Sequence, residues 1–174
     1  MKKNDFKMVS IRGRLAYAIS CLESALKYYK CNTTDWRIVL EQLWTYTDIQ
    51  FFDDWHYTIA EILPESVLES NIFDIDDNEY INEMQFSSLH NLYSNTNNEI
   101  KDIIQFIFNM GICEFYGKLK NYGQLTLDNM EVLLNYMMSN SIPLPDMSRF
   151  KVFSYDDGNG WGEKFSGIKY SCIL

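Results

Sequence analysis

Apolar side chains recur at steps of three and four residues in six stretches of this 174-residue chain. Such spacing places them along one face of an α-helix, so the pattern predicts six helices. The first covers about residues 10–30, and Ser10 is suited to cap its N-terminus. The second follows Thr33 or Thr34, whose hydroxyls are also suitable caps.

The middle of the chain predicts two further helices separated by a polar loop. One begins at Asp53 or Asp54 and reaches Pro64, which either stops the helix or restarts it, because proline is tolerated in a first turn. Residues 70–80 are polar and acidic and predict a loop. The next helix covers about residues 80–94.

The most apolar helix is predicted over residues 96–119. Thr96 and Glu99 have the spacing of a capping box at its start, and apolar side chains then occur on nearly every side. A helix that is apolar all round is expected at the centre of a bundle. The last helix begins near Thr126 and ends before Pro143.

The C-terminal segment has a different pattern. Residues 150–155 alternate apolar and polar side chains, and the glycine-rich stretch 156–162 favours a tight turn. The sequence therefore predicts one all-α domain over residues 1–174. Its helical body is a six- to seven-helix bundle over about residues 10–140, and a short extended or β-hairpin tail covers about residues 148–174.

Charge is distributed very unevenly along the chain. Residues 38–100, which we call the acidic segment, contain thirteen carboxylates and no lysine or arginine, whereas the rest carries a formal charge of +4, giving −9 in total. Ten aromatic side chains lie within this segment. A field of one sign attracts basic proteins and repels nucleic acid. We therefore expect a basic protein partner and no direct binding of nucleic acid.

Acidic side chains in and after the predicted 70–80 loop are the first candidates for a partner-binding surface, together with those of the C-terminal turn. They are Asp74, Asp76, Asp77, Glu79 and Glu83, with Asp156 and Asp157 from the turn. The alternative interpretation is that these carboxylates only keep the protein soluble.

A second candidate interface lies at the start of the third predicted helix, where Asp53 and Asp54 precede His56. Aspartate at a helix start is the usual capping choice, which favours a capping role over acid–base chemistry.

Trp161 lies among glycines of the C-terminal turn. We predict that it is structural and pins the tail to the helical body. The alternative is an outward-facing anchor for the partner.

Residues that catalyse reactions or bind metals and cofactors do not occur in recognisable patterns. The two histidines and four cysteines lack the spacing of a zinc site. Asp74, Asp76 and Asn78 match the start of a calcium loop, but Glu79 and Gln85 stand where glycine and a bidentate glutamate are needed.

No apolar run reaches the ~20 residues of a membrane span. We expect no enzyme activity, metal, cofactor or membrane insertion, and scattered thiols are typical of a cytoplasmic protein.

Several short motifs resemble helical immunity proteins of bacterial contact-dependent growth inhibition and polymorphic toxin systems. They are SIRGRLAY at 10–17, DW at 35–36, LWTYT at 43–47, DWH at 54–56, ILPE at 62–65, IPLPD at 142–146 and NGWG at 159–162. None of these motifs is catalytic. The resemblance extends over residues 10–167 and implies a protein that binds its own toxin in the cytoplasm and blocks it.

The resemblance also implies the kind of partner, which is the C-terminal domain of a toxin and, in many such systems, a basic nuclease. An acidic protein suits that role because it competes electrostatically with the phosphate backbone. Two other functions stay open. One is an acidic helical adaptor or nucleic-acid mimic without a toxin, and the other is an enzyme whose site the sequence does not reveal.

Overall fold

The chain is all-α in the computed structural model, which describes residues 1–76, 78–115 and 117–174. The described residues form seven α-helices, namely α1 (Ile11–Tyr28), α2 (Arg37–Trp44), α3 (Phe52–Ile62), α4 (Pro64–Glu69), α5 (Glu83–Ser94), α6 (Asn98–Ile112) and α7 (Gln124–Ser139). Five 3₁₀ helices accompany them, at Lys3–Phe6, Thr45–Thr47, Met147–Phe150, Asp157–Gly160 and Gly167–Tyr170. The predicted all-α class is confirmed.

Helix α1 is the central helix of the fold. The Ser10 hydroxyl caps it by accepting a hydrogen bond from the Gly13 amide (3.3 Å), as its position in the sequence predicts. Fifteen of the eighteen residues of α1 are buried, so the helix is surrounded on every side rather than along one stripe. It packs against α2, α6, α7 and several 3₁₀ helices.

The expectation of a central helix at residues 96–119 is wrong. Helix α6 ends at Ile112 and is amphipathic, since Ile103 and Ile107 are buried whereas Asn109 is exposed. The sequence did not identify α1 as central because α1 carries charged side chains. Those side chains are nevertheless buried, because they find polar partners inside the fold.

A fully buried arginine near the start of α1 holds two neighbouring segments. Arg14 donates from Nε to the Phe6 carbonyl (3.2 Å), and its terminal nitrogens donate to the carbonyls of Lys7 (3.1 Å) and Gly123 (3.0 Å). Burial lowers the pKa of Arg14 to about 10, so the guanidinium stays charged at neutral pH. The N-terminal 3₁₀ helix and the start of α7 are thereby tied to α1.

A second buried arginine, Arg12, fixes the chain that leads into α3. Its guanidinium donates to the carbonyls of Tyr46 and Ile49, the latter at 3.1 Å, and lies 4.6 Å from the ring centroid of Phe52. Burial lowers the pKa of Arg12 as well. These contacts determine where α3 begins relative to α1.

Helix α3 is positioned by close packing on α6. The Trp55 ring lies against Gly111, where a Cβ atom would stand only 2.5 Å from it, so no larger residue fits without a shift. The Tyr46 hydroxyl donates to the Gly111 carbonyl (3.1 Å).

Leu63, at the end of α3, is extended (φ −61°, ψ 142°) because a residue before proline disfavours the helical conformation. Pro64 therefore separates α3 from the short helix α4.

The C-terminal tail is not a β-hairpin, which corrects one of the two alternatives predicted for it. Its described residues make a single antiparallel bridge, between Val9 and Ser154, and otherwise form 3₁₀ turns joined by irregular stretches. The alternation over residues 150–155 favours a strand, but residues 156–174 form no second strand with which it could pair. Gly158 and Asn159 both take a positive φ of 53°, and the chain turns back onto α1.

A buried carboxylate in α1, that of Glu23, anchors the end of the tail. It accepts hydrogen bonds from the Trp44 indole (3.0 Å), the Cys172 amide (2.7 Å) and the Ser171 hydroxyl. Hydrogen bonds to a charged acceptor are stronger than those between neutral groups. The tail is thus strapped to α1 and α2 by polar contacts as well as by packing.

Replacing Arg14 by methionine is expected to destabilise the protein by about 2–4 kcal/mol, because three carbonyls, two of them buried, lose their donor. Arg37→Met is the matched control. Arg37 is half-exposed and pairs with Glu41 one turn away (2.9 Å), a contact worth about 0.3–0.5 kcal/mol. Urea unfolding followed by circular dichroism measures both. An Arg14→Met protein as stable as wild type would show that this arginine does not organise the fold.

Candidate binding surface around helix α3

The exposed apolar side chains of the acidic segment lie close together in sequence. Between residues 51 and 84, six large apolar or aromatic side chains are 42–79% exposed, namely Phe51, Tyr57, Ile72, Ile75, Tyr80 and Met84. They stand among the carboxylates of the same segment. Exposed apolar groups rimmed by polar ones are typical of interaction surfaces. We call the exposed side chains of residues 51–76 and 78–84 the acidic face.

Helix α3 supplies part of the acidic face because its two sides differ. Trp55 is buried in the core, whereas Asp53, Asp54 and Tyr57 are exposed. The residue at the N-cap is Phe51, so neither aspartate caps the helix as predicted. Both lie in the first turn instead, where the positive end of the helix dipole stabilises their charge.

Glu61, near the C-terminal end of α3, holds the following loop in place. Its carboxylate accepts hydrogen bonds from three consecutive backbone amides, those of Glu79 and Tyr80 (both 2.8 Å) and Ile81 (3.2 Å). Three charge-assisted bonds fix the path of residues 79–81 against α3. No local sequence pattern reveals this role, because the acceptor and its donors are 18 to 20 residues apart.

Two exposed tyrosines stack beside this contact. The rings of Tyr57, on α3, and Tyr80, on the loop, are nearly parallel (11°), with their centroids 6.4 Å apart. Partial loss of water, followed by the carboxylates of Glu79, Asp54 and Glu61, raises the pKa of Tyr80. The structure thus brings Asp54 and Glu79, which the sequence assigned to separate candidate surfaces, to one tyrosine.

A groove of about 700 Å³ opens between α3, α4 and the loop. Phe73 and Phe86 form part of its apolar wall, with ring centroids 5.8 Å apart. Glu69 and Asp74 are exposed and line the same groove. Its combination of apolar wall and carboxylates suits a side chain with an apolar stem and a positive end.

The remaining predicted residues of this loop are spread along it. Asp74 accepts a hydrogen bond from the Asp76 amide (2.9 Å), which closes a local turn. Glu83 is exposed in the first turn of α5. Asp77 lies outside the described residues.

Asp156 and Asp157 lie in a different part of the structure. Both are exposed in the turn that packs near the start of α1. The Tyr155 amide donates to the Met8 carbonyl (2.9 Å), and the Tyr155 ring lies 5.4 Å from that of Tyr122. Among the described contacts of this turn, none is with the loop at residues 70–82. The two predicted acidic groups are therefore not joined into one site.

Trp161 and His56 lie near the N-terminal end of α3. The half-buried Trp161 ring packs against Phe52 at a tilt of 32° (4.7 Å between centroids), and the Trp161 carbonyl accepts a hydrogen bond from the Arg12 amide (3.0 Å). These contacts support the structural interpretation of Trp161. The His56 ring lies 5.6 Å from Phe108, and within the described part of the chain its Nδ1 atom has no hydrogen-bond partner.

Comparison with known proteins finds no match: no family model, no curated protein and no solved structure matches this chain. In residues 1–76, 78–115 and 117–174, no group of three or more histidine, cysteine, aspartate or glutamate side chains is placed to hold a metal ion. Over the same residues, no helix is both long and apolar enough to cross a membrane. The acidic face is therefore interpreted from its own geometry.

Glu61→Gln is expected to free the loop while leaving the fold intact. An amide side chain has one acceptor oxygen and a donor group that repels backbone N–H groups, so the amides of Glu79 and Tyr80 should exchange with solvent about tenfold faster or more. Glu65→Gln, at an exposed position of α4, is the control. Hydrogen exchange measured by NMR reports both amides. Unchanged protection at Glu79 and Tyr80 would rule out Glu61 as the organiser of the loop.

Trp161→Ala is expected to lower the free energy of unfolding by about 2 kcal/mol, because a half-buried ring is lost from the contact with Phe52. Trp161→Phe, which keeps a ring at that position, should lose less. Chemical unfolding gives the stabilities, and calorimetry gives the affinity for a captured partner. Unchanged stability together with a binding loss of about 2 kcal/mol or more would identify Trp161 as a partner anchor instead.

Proposed function

We propose that this chain is an immunity protein that binds a basic toxin domain in the bacterial cytoplasm. The partner is a nuclease that acts on RNA such as tRNA, and it is blocked without any chemistry. The observation that carries the proposal is the acidic face, where exposed apolar and aromatic side chains stand among carboxylates. The motif resemblance to immunity proteins points to the same role.

Electrostatics accounts for the approach of the partner. Residues 38–100 contain no lysine or arginine, so nothing within this segment neutralises its carboxylates. Such a field raises the association rate of a basic protein, and the effect weakens as salt is added. A nuclease has a basic surface where it holds phosphates. An acidic protein that binds this surface covers the substrate site or the active site.

Exposed apolar side chains account for the stability of the complex. A standard protein–protein interface buries ~1,600 Å² in total, and a few aromatic anchors contribute most of its affinity. Phe51, Tyr57, Tyr80 and Met84 are exposed and are available for this role. The hydrogen bonds from the loop to Glu61 keep part of the surface ordered before contact, which lowers the entropy cost of binding.

The second candidate function is an acidic adaptor that regulates a nucleic-acid-binding protein without any toxin. The same lysine- and arginine-free segment favours it, because a row of carboxylates resembles a phosphate backbone in charge. The two functions differ in the partner. A toxic nuclease encoded beside this gene supports immunity, whereas a restriction enzyme or another DNA-binding target supports mimicry.

Co-expression tests the proposed function. The C-terminal domain of the large secreted protein encoded next to this gene is expressed in a sensitive strain, with and without this chain. Rescue of growth together with co-purification of the two proteins is the expected result. Growth arrest that this chain does not relieve, despite normal expression of both proteins, would contradict the proposal.

Charge reversal tests the acidic face itself. Asp76→Lys combined with Glu79→Lys should slow association with the captured toxin domain by about tenfold at low salt, because the attractive field is weakened where contact forms. Asp128→Lys combined with Glu131→Lys changes the net charge equally on α7 and is the control. Stopped-flow or biosensor kinetics give the rates. Equal slowing by both pairs would mean that only total charge matters.

A further inference from the structure

The Tyr57–Tyr80 pair is an exposed aromatic platform built from two separate elements. Tyr57 is 53% and Tyr80 is 42% exposed, and their rings are parallel within 11°. The position of Tyr80 in the loop is held by a hydrogen bond, because its amide donates to the Glu61 carboxylate (2.8 Å). One ring comes from α3 and the other from the loop held against it.

Carboxylates surround this platform, and two of them are available to a partner. Glu79, Asp54 and Glu61 all lie close enough to Tyr80 to raise its pKa, after the larger effect of partial desolvation. Glu61 is already occupied by three amides. In the described part of the structure, the side-chain carboxylates of Asp54 and Glu79 accept no hydrogen bond from the protein.

The chain covers other aromatic rings with its own cations. Lys7 lies over Tyr122 (4.2 Å), Arg12 over Phe52 (4.6 Å) and Arg14 beside Tyr155 (5.4 Å to the ring centroid). Among the described residues, no lysine or arginine lies over Tyr57 or Tyr80. The acidic segment cannot supply one itself, since it has no lysine or arginine. The His56 ring stacks on Tyr57 (5.1 Å between centroids), so the platform has a histidine beside it but, within the described residues, no lysine or arginine of its own.

We infer that Tyr57 and Tyr80, together with Asp54 and Glu79, receive an arginine side chain of the basic protein partner. A planar guanidinium stacks on an aromatic face and donates to carboxylates in the same plane, which a lysine ammonium does not do. Two carboxylates beside two rings match that geometry. This inference deepens the proposed function and rests on it for the identity of the partner, but not for the chemistry of the site.

Labelled peptides test the site without any toxin. The probes are a fluorescein-labelled peptide of alternating glycine and arginine, the same peptide with lysine, and the same peptide with citrulline, which keeps the shape but not the charge. Fluorescence anisotropy at low salt gives the dissociation constants. The wild-type protein should bind the arginine peptide about threefold to tenfold more tightly than the lysine peptide, and the citrulline peptide more weakly than either.

Paired variants separate stacking from charge. Tyr57→Leu with Tyr80→Leu should abolish the preference for arginine over lysine, whereas Tyr57→Phe with Tyr80→Phe should keep it, because the aromatic faces remain. Asp54→Asn with Glu79→Gln should weaken binding of both peptides. Tyr28→Leu is the control, since Tyr28 is 44% exposed and also contacts a second tyrosine ring, but on α1. Thermal unfolding of each variant verifies that it is folded.

The outcomes distinguish this inference from the function it deepens. Equal affinity of the wild-type protein for arginine and lysine peptides, or an arginine preference that survives both leucine substitutions, would overturn the arginine site. So would an equal loss of preference in Tyr28→Leu. If the peptides behave as expected and no neighbouring toxin is neutralised, the arginine site stands and the immunity function fails. If a toxin is captured equally well by the leucine pair, the immunity function stands and the arginine site does not contribute.

Discussion

The burial of charged groups in α1 is the constraint on which the rest of the structure depends. Arg12, Arg14 and Glu23 are 0–4% exposed, and a buried charge is tolerated only if hydrogen bonds replace the lost water. The two arginines bind main-chain carbonyls, and Glu23 binds an indole, a hydroxyl and an amide. Each partner belongs to another segment, so satisfying these charges also places the N-terminus, the start of α3, the start of α7 and the tail.

This use of the basic residues has a consequence for the surface. Within the described residues, the ion pairs join Lys3 to Asp128 and Glu131, and Arg37 to Glu41. Because Arg12 and Arg14 bind carbonyls instead of carboxylates, they do not pair with the acidic face. The field of that face is left available to a partner. Two buried arginines thus stabilise the fold without neutralising the negative charge of the surface.

Capping shows how closely local patterns compete. Thr96 and Glu99 have the spacing of a capping box, but the Thr96 hydroxyl donates to the Leu92 carbonyl (2.6 Å) at the end of α5. Helix α6 begins after Asn97 with no side-chain cap. A capping box does form between Asn82 and Gln85 at the start of α5, with two bonds of 3.0 Å. In a short loop between two helices, a threonine hydroxyl can bond to the end of the first helix or cap the start of the second. The sequence alone does not show which bond forms.

The sequence by itself determined that the chain is helical, where most helices lie, that Ser10 caps the first, and that residues 38–100 carry a one-signed charge. Periodicity, capping chemistry and charge are local or additive properties, so they can be counted along the chain. Only the tertiary structure decided that α1 is the centre and that no hairpin closes the tail. It also brought Tyr80 beside Tyr57 through the hydrogen bonds of the loop to Glu61. These features depend on contacts between residues distant in sequence, whose energies exist only once the segments have packed together.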